Sequence, residues 1–518
     1  MSTSSRRAFL ADVGRGMLAA SVGTGLAAEL GLAKIEAADE KKDVLHFGPL
    51  EPLVALIQDT PPEKLLPLLS EKLQAGMTLK TLTAAGALAN ARTFGGHDYI
   101  GYHTFMALAP ALQMASELPK DRAALPVLKV IYRNAARIQA FGGHEKEILH
   151  PVTPASLPSG AHGGELLQQA SRAADFEKAE STFAALAERS LGEAFGHLQY
   201  AVEDEVDVHR VVLSWRAWAT LDITGQEYAH ALLRQSLRYC VNTESMYKSR
   251  GRTGSPIRAL LPKLLENLKL VGRADGTKKA DDAWIGRMGR LVADSTPEQA
   301  AEAIAAALAE GFVSDDIGEV LVVAANELLL RDPGRPKEWT SDGKPVGSVH
   351  GDSIGVHASD AANAWRNIAR ASTQRNRVAS LIVGAFHTAG QGARMNKELY
   401  PAAEQLEKVT AKKPEELLAE LDEAVRTQDQ FRATAITHRY GELGHSPRPL
   451  LNLLLRYGTS SDGALHAEKF YCTATEEFAR VRPIFQWRQL EALARVSASE
   501  SARIAAGYDQ AKELLKIT

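Results

Sequence analysis

Apolar residues along this chain recur three or four positions apart, the spacing of a helix with one buried face. Leu65, Leu66, Leu69 and Leu73 form one such stripe, and Leu417, Leu418, Leu421 and Val425 form another. No convincing run alternates with the period of two that a half-buried strand requires. The pattern predicts an all-α fold. Helix starts are marked at Thr60-Pro61-Pro62-Glu63 and Thr296-Pro297-Glu298-Gln299, where a hydroxyl residue precedes proline and an acid or amide.

Those two starts belong to a wider self-similarity. Asp59-Thr60-Pro61-Pro62-Glu63 opens a helix pair ending near Arg92, and Asp294-Ser295-Thr296-Pro297-Glu298 opens one ending near Arg331. His97-Asp98-Tyr99-Ile100-Gly101-Tyr102-His103 follows the first, and His350-Gly351-Asp352-Ser353-Ile354-Gly355-Val356-His357 the second. Phe195-Gly196-His197 is echoed faintly by Thr437-His438-Arg439, and Tyr228-Ala229-His230-Ala231 by Ala464-Leu465-His466-Ala467. The expectation is a large helical domain of two similar halves, 38–270 and 271–518, with a ligand-binding site between them. Asp332 to Val349, rich in Pro, Gly, Lys and Asp, reads as a loop within the second half.

The first residues break the pattern. Ser5-Arg6-Arg7-Ala8-Phe9-Leu10 and the uncharged stretch Gly16 to Ala28 resemble a twin-arginine export signal, assigned to residues 1–37. That implies recognition by the twin-arginine export machinery and a periplasmic or extracellular destination. The route carries folded proteins, often with a metal or cofactor already in place. No other segment approaches the 18 or so apolar residues of a membrane span.

Composition narrows the classes further. Of 518 residues, 45% are apolar and 24% charged, which excludes a disordered chain, a collagen-like fibre and a disulfide scaffold. The net charge of 60 − 63 = −3 offers no electrostatic footprint for nucleic acid. Cys240 and Cys472 cannot form a CxxC site, and their pairing is open.

The candidate chemistry is imidazole. His103, His357 and His466 each head an apolar helix, where a neutral ring is hydrogen-bonded in the core or bound to metal. Equivalent histidines from two halves would form a nitrogen platform suited to iron, copper, nickel or zinc. Lys469, three residues after His466, shares its helix face. A lysine there makes sense as a carbamate, an anionic oxygen ligand; otherwise it snorkels to the surface. The run Glu203-Asp204-Glu205-Val206-Asp207-Val208-His209 reads as a solvated helix face, with a hydrolytic two-metal site as its functional alternative. There is no HExxH, GxSxG or Walker loop.

Four segments together resemble the questin oxidase-like family, which includes oxygenases that open anthraquinone rings. They are His97 to Leu112, Phe195-Gly196-His197-Leu198-Gln199-Tyr200, His357 to Arg366, and Asp462-Gly463-Ala464-Leu465-His466-Ala467-Glu468-Lys469. The resemblance implies an α-helical oxidoreductase holding non-haem ferrous iron, Fe(2+), by four histidines and a carboxylated lysine. Carried over, it implies His103, His197, His357 and His466 as ligands and Lys469 as the carbamate, with His466 and Lys469 the residues tied to catalysis. The internal repeat favours His230 over His197, and the choice stays open. Gly196 and Asn363 depart from the family pattern. Beside the ligands, Asp98 and Asp352 are expected to hold imidazoles by their other nitrogen, with His97 and His350 expected next to the same site. Tyr99, Tyr102, Phe105, Trp365 and Tyr471 are candidates to line a flat pocket. The implied partners are an aromatic or quinonoid small molecule and dioxygen. The alternatives are an exported α-helical scaffold without catalysis and a histidine-site metal hydrolase.

Overall fold

The computed structural model describes residues 44–517, apart from residues 342, 352 and 502. The twin-arginine segment and Asp352 therefore lie outside the described residues. Among those described, twenty-three α-helices are joined by turns and short 3-10 segments, and β pairing is limited to three isolated bridges. The fold is all-α.

Local sequence explains the helix ends. Thr296 caps helix Pro297–Ala309 by accepting from Gln299 N at 3.3 Å, while Gln299 Oε1 accepts from Thr296 N at 3.2 Å. At the equivalent point of the first half the cap differs from expectation. Thr60 instead terminates helix Glu51–Asp59, donating to Leu56 O at 3.2 Å, and the next helix, Pro62–Gln74, begins without a side-chain cap. Consecutive prolines are the reason: a residue before proline is driven out of the helical region, so Thr60 and Pro61 are extended. Leu65, Leu66 and Leu69 face inward from that helix, as do Leu417, Leu421 and Val425 from Pro414–Arg426.

Two apolar cores result. The larger joins Leu88, Leu108 and Ile131 with Ile304, Leu321 and Leu381, and so runs across residues 270–271. The smaller gathers Leu421, Ile436, Leu454 and Leu490, with Met114 reaching into it from the first half. Four helices then pack in a closed cycle: Tyr99–Glu117 on Val208–Thr224, that on Ile354–Ala371, that on His466–Phe478, and the last back on Tyr99–Glu117. This cycle positions the candidate site.

Candidate metal centre

Each helix of the cycle carries one histidine within its first five residues: His103, His209, His357 and His466. Their rings follow the same order. Ring centres are separated by 4.9 Å from His103 to His209, 5.6 Å from His209 to His357, 5.8 Å from His357 to His466 and 5.1 Å from His466 to His103. With a metal–nitrogen distance of about 2.1 Å, ring centres around one ion lie about 4.5 Å apart at right angles and about 6.3 Å apart across the ion. All four separations fall inside that interval.

The nitrogens are arranged to match. His103 Nδ1 lies 2.7 Å from Tyr99 O and His209 Nδ1 lies 3.1 Å from Asp207 Oδ1, contacts that fix the proton on Nδ1 and leave Nε2 as the lone-pair atom. Nε2 of His103 and of His209, and both nitrogens of His466, are buried without a hydrogen-bond partner. An orphaned buried polar atom is costly in a native fold and calls for an explanation. A bound cation supplies one, and the donor set fits it. Among the described residues no set of three or more His, Cys, Asp or Glu side chains is already preset in metal-holding geometry.

Electrostatics keep the His103 and His466 rings neutral. Burial is the main cause holding the His103 and His466 imidazoles well below the usual histidine range, with Lys469 adding to it. The positive ends of four helix dipoles act in the same sense and favour an anionic group at the centre. Lys469, only 3% exposed, is lowered to about 8 by burial, with Asp360 opposing the shift. Asp360 accepts from Thr473 Oγ1 at 2.7 Å and is itself pushed up by burial.

The backbone at His466 is shaped for its place. Ala464 and Leu465 both have positive φ, 50° and 69°, a region that non-glycine residues rarely enter. Opposite them, a Cβ on Gly351 would lie 1.9 Å from His466 Cβ, so only glycine allows the approach. Gly351 N donates to Glu500 Oε1 at 2.6 Å, and His350 Nδ1 lies 3.5 Å from the same oxygen.

The structure thus gathers His103, His357, His466 and Lys469, and it adds His209 in place of the two expected alternatives. His197 lies apart, 5.3 Å in ring separation from His162, and His230 lies against Phe183 at 5.8 Å. Neither ring contacts the four. Nor does Asp98 hold an imidazole: it caps its own helix at Gly101 N, 2.7 Å, and pairs with Arg137. His97 packs on Phe176 beside Arg238, and His350 faces Glu500. Tyr99 and Tyr102 do border the centre, 4.3 and 5.0 Å from the His103 ring. Phe105, Trp365 and Tyr471 are buried packing residues, with Tyr471 bonded to Glu117 at 2.9 Å. Both cysteines are buried and free.

The acidic run also differs from its reading as a solvated face. Glu203, Asp204 and Glu205 are buried in the turn between helices Leu191–Val202 and Val208–Thr224. Arg375 meets Glu203 at 2.5 Å, Arg172 holds Asp204 through two contacts of 2.6 Å, and Arg258 lies 3.5 Å from Glu205. These carboxylates are committed to arginines rather than to a metal pair. His209, hidden at the end of this run, heads the apolar stretch Val211-Val212-Leu213 in the same way as the other three head theirs.

Compared with known proteins, the chain matches no family model, no curated protein and no solved structure.

Proposed function

We propose that this chain is an exported metal-dependent oxygenase, acting on an aromatic or quinonoid small molecule through one ion held by His103, His209, His357 and His466. The observation that carries this reading is the closed cycle of four neighbouring imidazoles, two buried and two half-buried, drawn from helices more than a hundred residues apart in sequence, with buried unsatisfied nitrogens on His103, His209 and His466. A scaffold has no need to gather histidines in this way. The questin oxidase-like resemblance supports iron and a carboxylated lysine, with His209 in the position left open between His197 and His230.

A ferrous ion at such a centre supplies dioxygen activation. The protein's own residues do the rest. Asp207 and the Tyr99 carbonyl hold two imidazoles in the metal-binding tautomer. The lowered Lys469 amine is neutral in a sizeable fraction near pH 8, and a neutral amine adds to carbon dioxide, forming an N–C bond and releasing one proton to solvent, to give a carbamate anion. That anion would answer both the positive helix ends and the ion. Tyr99 and Tyr102 lie against the His103 and His209 rings, Tyr102 buried and Tyr99 facing solvent.

The test is elemental analysis of the full-length protein beside four variants. About one iron per chain is expected, lost in His209→Ala and His466→Ala but retained in His197→Ala and His230→Ala. A metal-free parent, or loss in His197→Ala alone, would overturn the reading. Zinc retained in Lys469→Ala would favour a histidine-site hydrolase instead. Labelling with 13C-bicarbonate should give a carbamate carbon signal that Lys469→Ala lacks.

A further inference from the structure

We infer that Arg216 is the anchor for an anionic group on the substrate, a carboxylate or phenolate carried on a flat aromatic framework. The inference rests on the oxygenase reading for the word substrate, but the binding site itself stands on separate observations.

A cleft of about 510 Å³ opens between helices Tyr99–Glu117, Val208–Thr224 and His466–Phe478. These are the helices that carry His103, His209 and His466. Its apolar lining includes Ala109, Trp215, Ala219, Leu451 and Phe478, and Arg216 lines it as well. The other charged groups there are already matched. Glu117 takes Tyr471 Oη and Arg448 at 2.9 Å each, while Glu476 takes Arg480 at 2.5 Å and Asn363 at 3.1 Å.

Arg216 is different. It is 6% exposed, its Nε has no hydrogen-bond partner, and among the described residues no carboxylate lies within ion-pair distance of it. Among the described residues its side chain makes one hydrogen bond, from Nη1 to Cys472 Sγ at 3.5 Å, and the thiol is held neutral because burial pushes it up. Sulfur is a weak acceptor, and a guanidinium stays charged at any physiological pH. Glu476 and Asp360 act on this guanidinium from a distance and hold it charged, but no carboxylate meets its fork directly, and the geometry of that fork suits a carboxylate or a phenolate.

Placement sets the size of the ligand. Arg216 lies seven residues beyond His209, and Cys472 lies six beyond His466, on the helices that carry those ligands. At about 1.5 Å per residue, an anion at Arg216 sits about 10 Å along the helices from the imidazole ring. The lining of the cleft stops at Ala109, Arg216 and Cys472, short of the histidines, so a fused two- or three-ring aromatic lies in the cleft with its anion on Arg216 and its far edge turned along the helices toward the centre.

The experiment titrates 2-naphthoate and its neutral counterpart 2-naphthamide into the full-length protein by calorimetry. Parallel titrations use Arg216→Gln, Arg216→Lys and His197→Ala. The wild type should bind the naphthoate at least tenfold more tightly than the amide. That ratio should fall to about one in Arg216→Gln, persist in part in Arg216→Lys, and be unchanged in His197→Ala, a residue remote from the cleft. A wild-type ratio near one, no saturable binding of the naphthoate, or a ratio retained in Arg216→Gln would each overturn the inference. The wild-type comparison decides even where Arg216→Gln fails to fold. A high ratio in a protein that binds no metal would leave the anchor standing and sink the oxygenase reading alone.

Discussion

Two buried polar clusters lie within seven residues of each other in sequence and differ in kind. In the turn Glu203-Asp204-Glu205 every carboxylate meets an arginine, so the charges are answered inside the fold. At the histidines, Nε2 of His103 and of His209 and both nitrogens of His466 are buried and unanswered. The turn is the denser cluster on paper and the one that reads as chemistry at a glance. The difference teaches that unmet bonding capacity, rather than concentration of charge, marks the place where a ligand belongs.

The contrast can be broken most forcefully at the turn. Arg375→Ala strands the Glu203 carboxylate in the interior and should cost about 3–5 kcal/mol of stability, with metal content per folded chain unchanged. Urea unfolding measures the first and elemental analysis the second. A loss below about 1 kcal/mol would show that the turn does not depend on its pairing.

His387 sharpens the contrast from the other side, because it is a buried imidazole whose bonding is met. Trp365 Nε1 donates to its Nδ1 at 3.2 Å, which requires a neutral ring, and burial lowers its pKa from 6.5 to about 4. With the folded value depressed, the unfolded chain takes up the proton first as pH falls. Its contribution is therefore full above about pH 6.5 and is lost progressively toward pH 4, by up to about 3 kcal/mol. His387→Gln should flatten the stability profile across that window and leave metal binding intact. An unchanged slope would mean the ring is not held neutral.

Smaller still is the effect expected at Asp207, which orients His209 without joining the ring. Asp207→Asn should weaken metal affinity about 10- to 100-fold, read by competition with a chelator. Equal affinity in parent and variant would remove the carboxylate from the centre. Least of all is expected from His197→Ala: a change within about 0.5 kcal/mol in unfolding and none in metal content.

The helical period made the fold class legible, because apolar stripes declare which residues face a core. Three of the four imidazoles were legible by one rule, a histidine heading an apolar helix. His209 obeys that rule and was masked by its acidic neighbours. His230 also obeys it and lies elsewhere. It is the second residue of helix Ala229–Ser249, as His209 is of Val208–Thr224, and the two differ only in the direction each side chain takes. That direction is set by how a helix is rotated against its neighbours, and no spacing along the chain records it. Asp98 was misjudged for a local reason: an aspartate just before a helix serves its own first turn before any distant ring. Arg216 gave no sequence signal, since its isolation exists only once three helices surround it.

The cyclic order of the four histidine helices carries a consequence for assembly. Successive ligands are separated by 209 − 103 = 106, 357 − 209 = 148 and 466 − 357 = 109 residues. No fragment of the chain holds a pair of these ligands close together, and an unfolded chain has to close three long loops to bring them to one point. A centre built in this way acts as a clasp on the finished molecule. On the proposed function, a metal held by all four histidines would be captured only once the last of the four helices has docked, and its presence would report that these helices have come together.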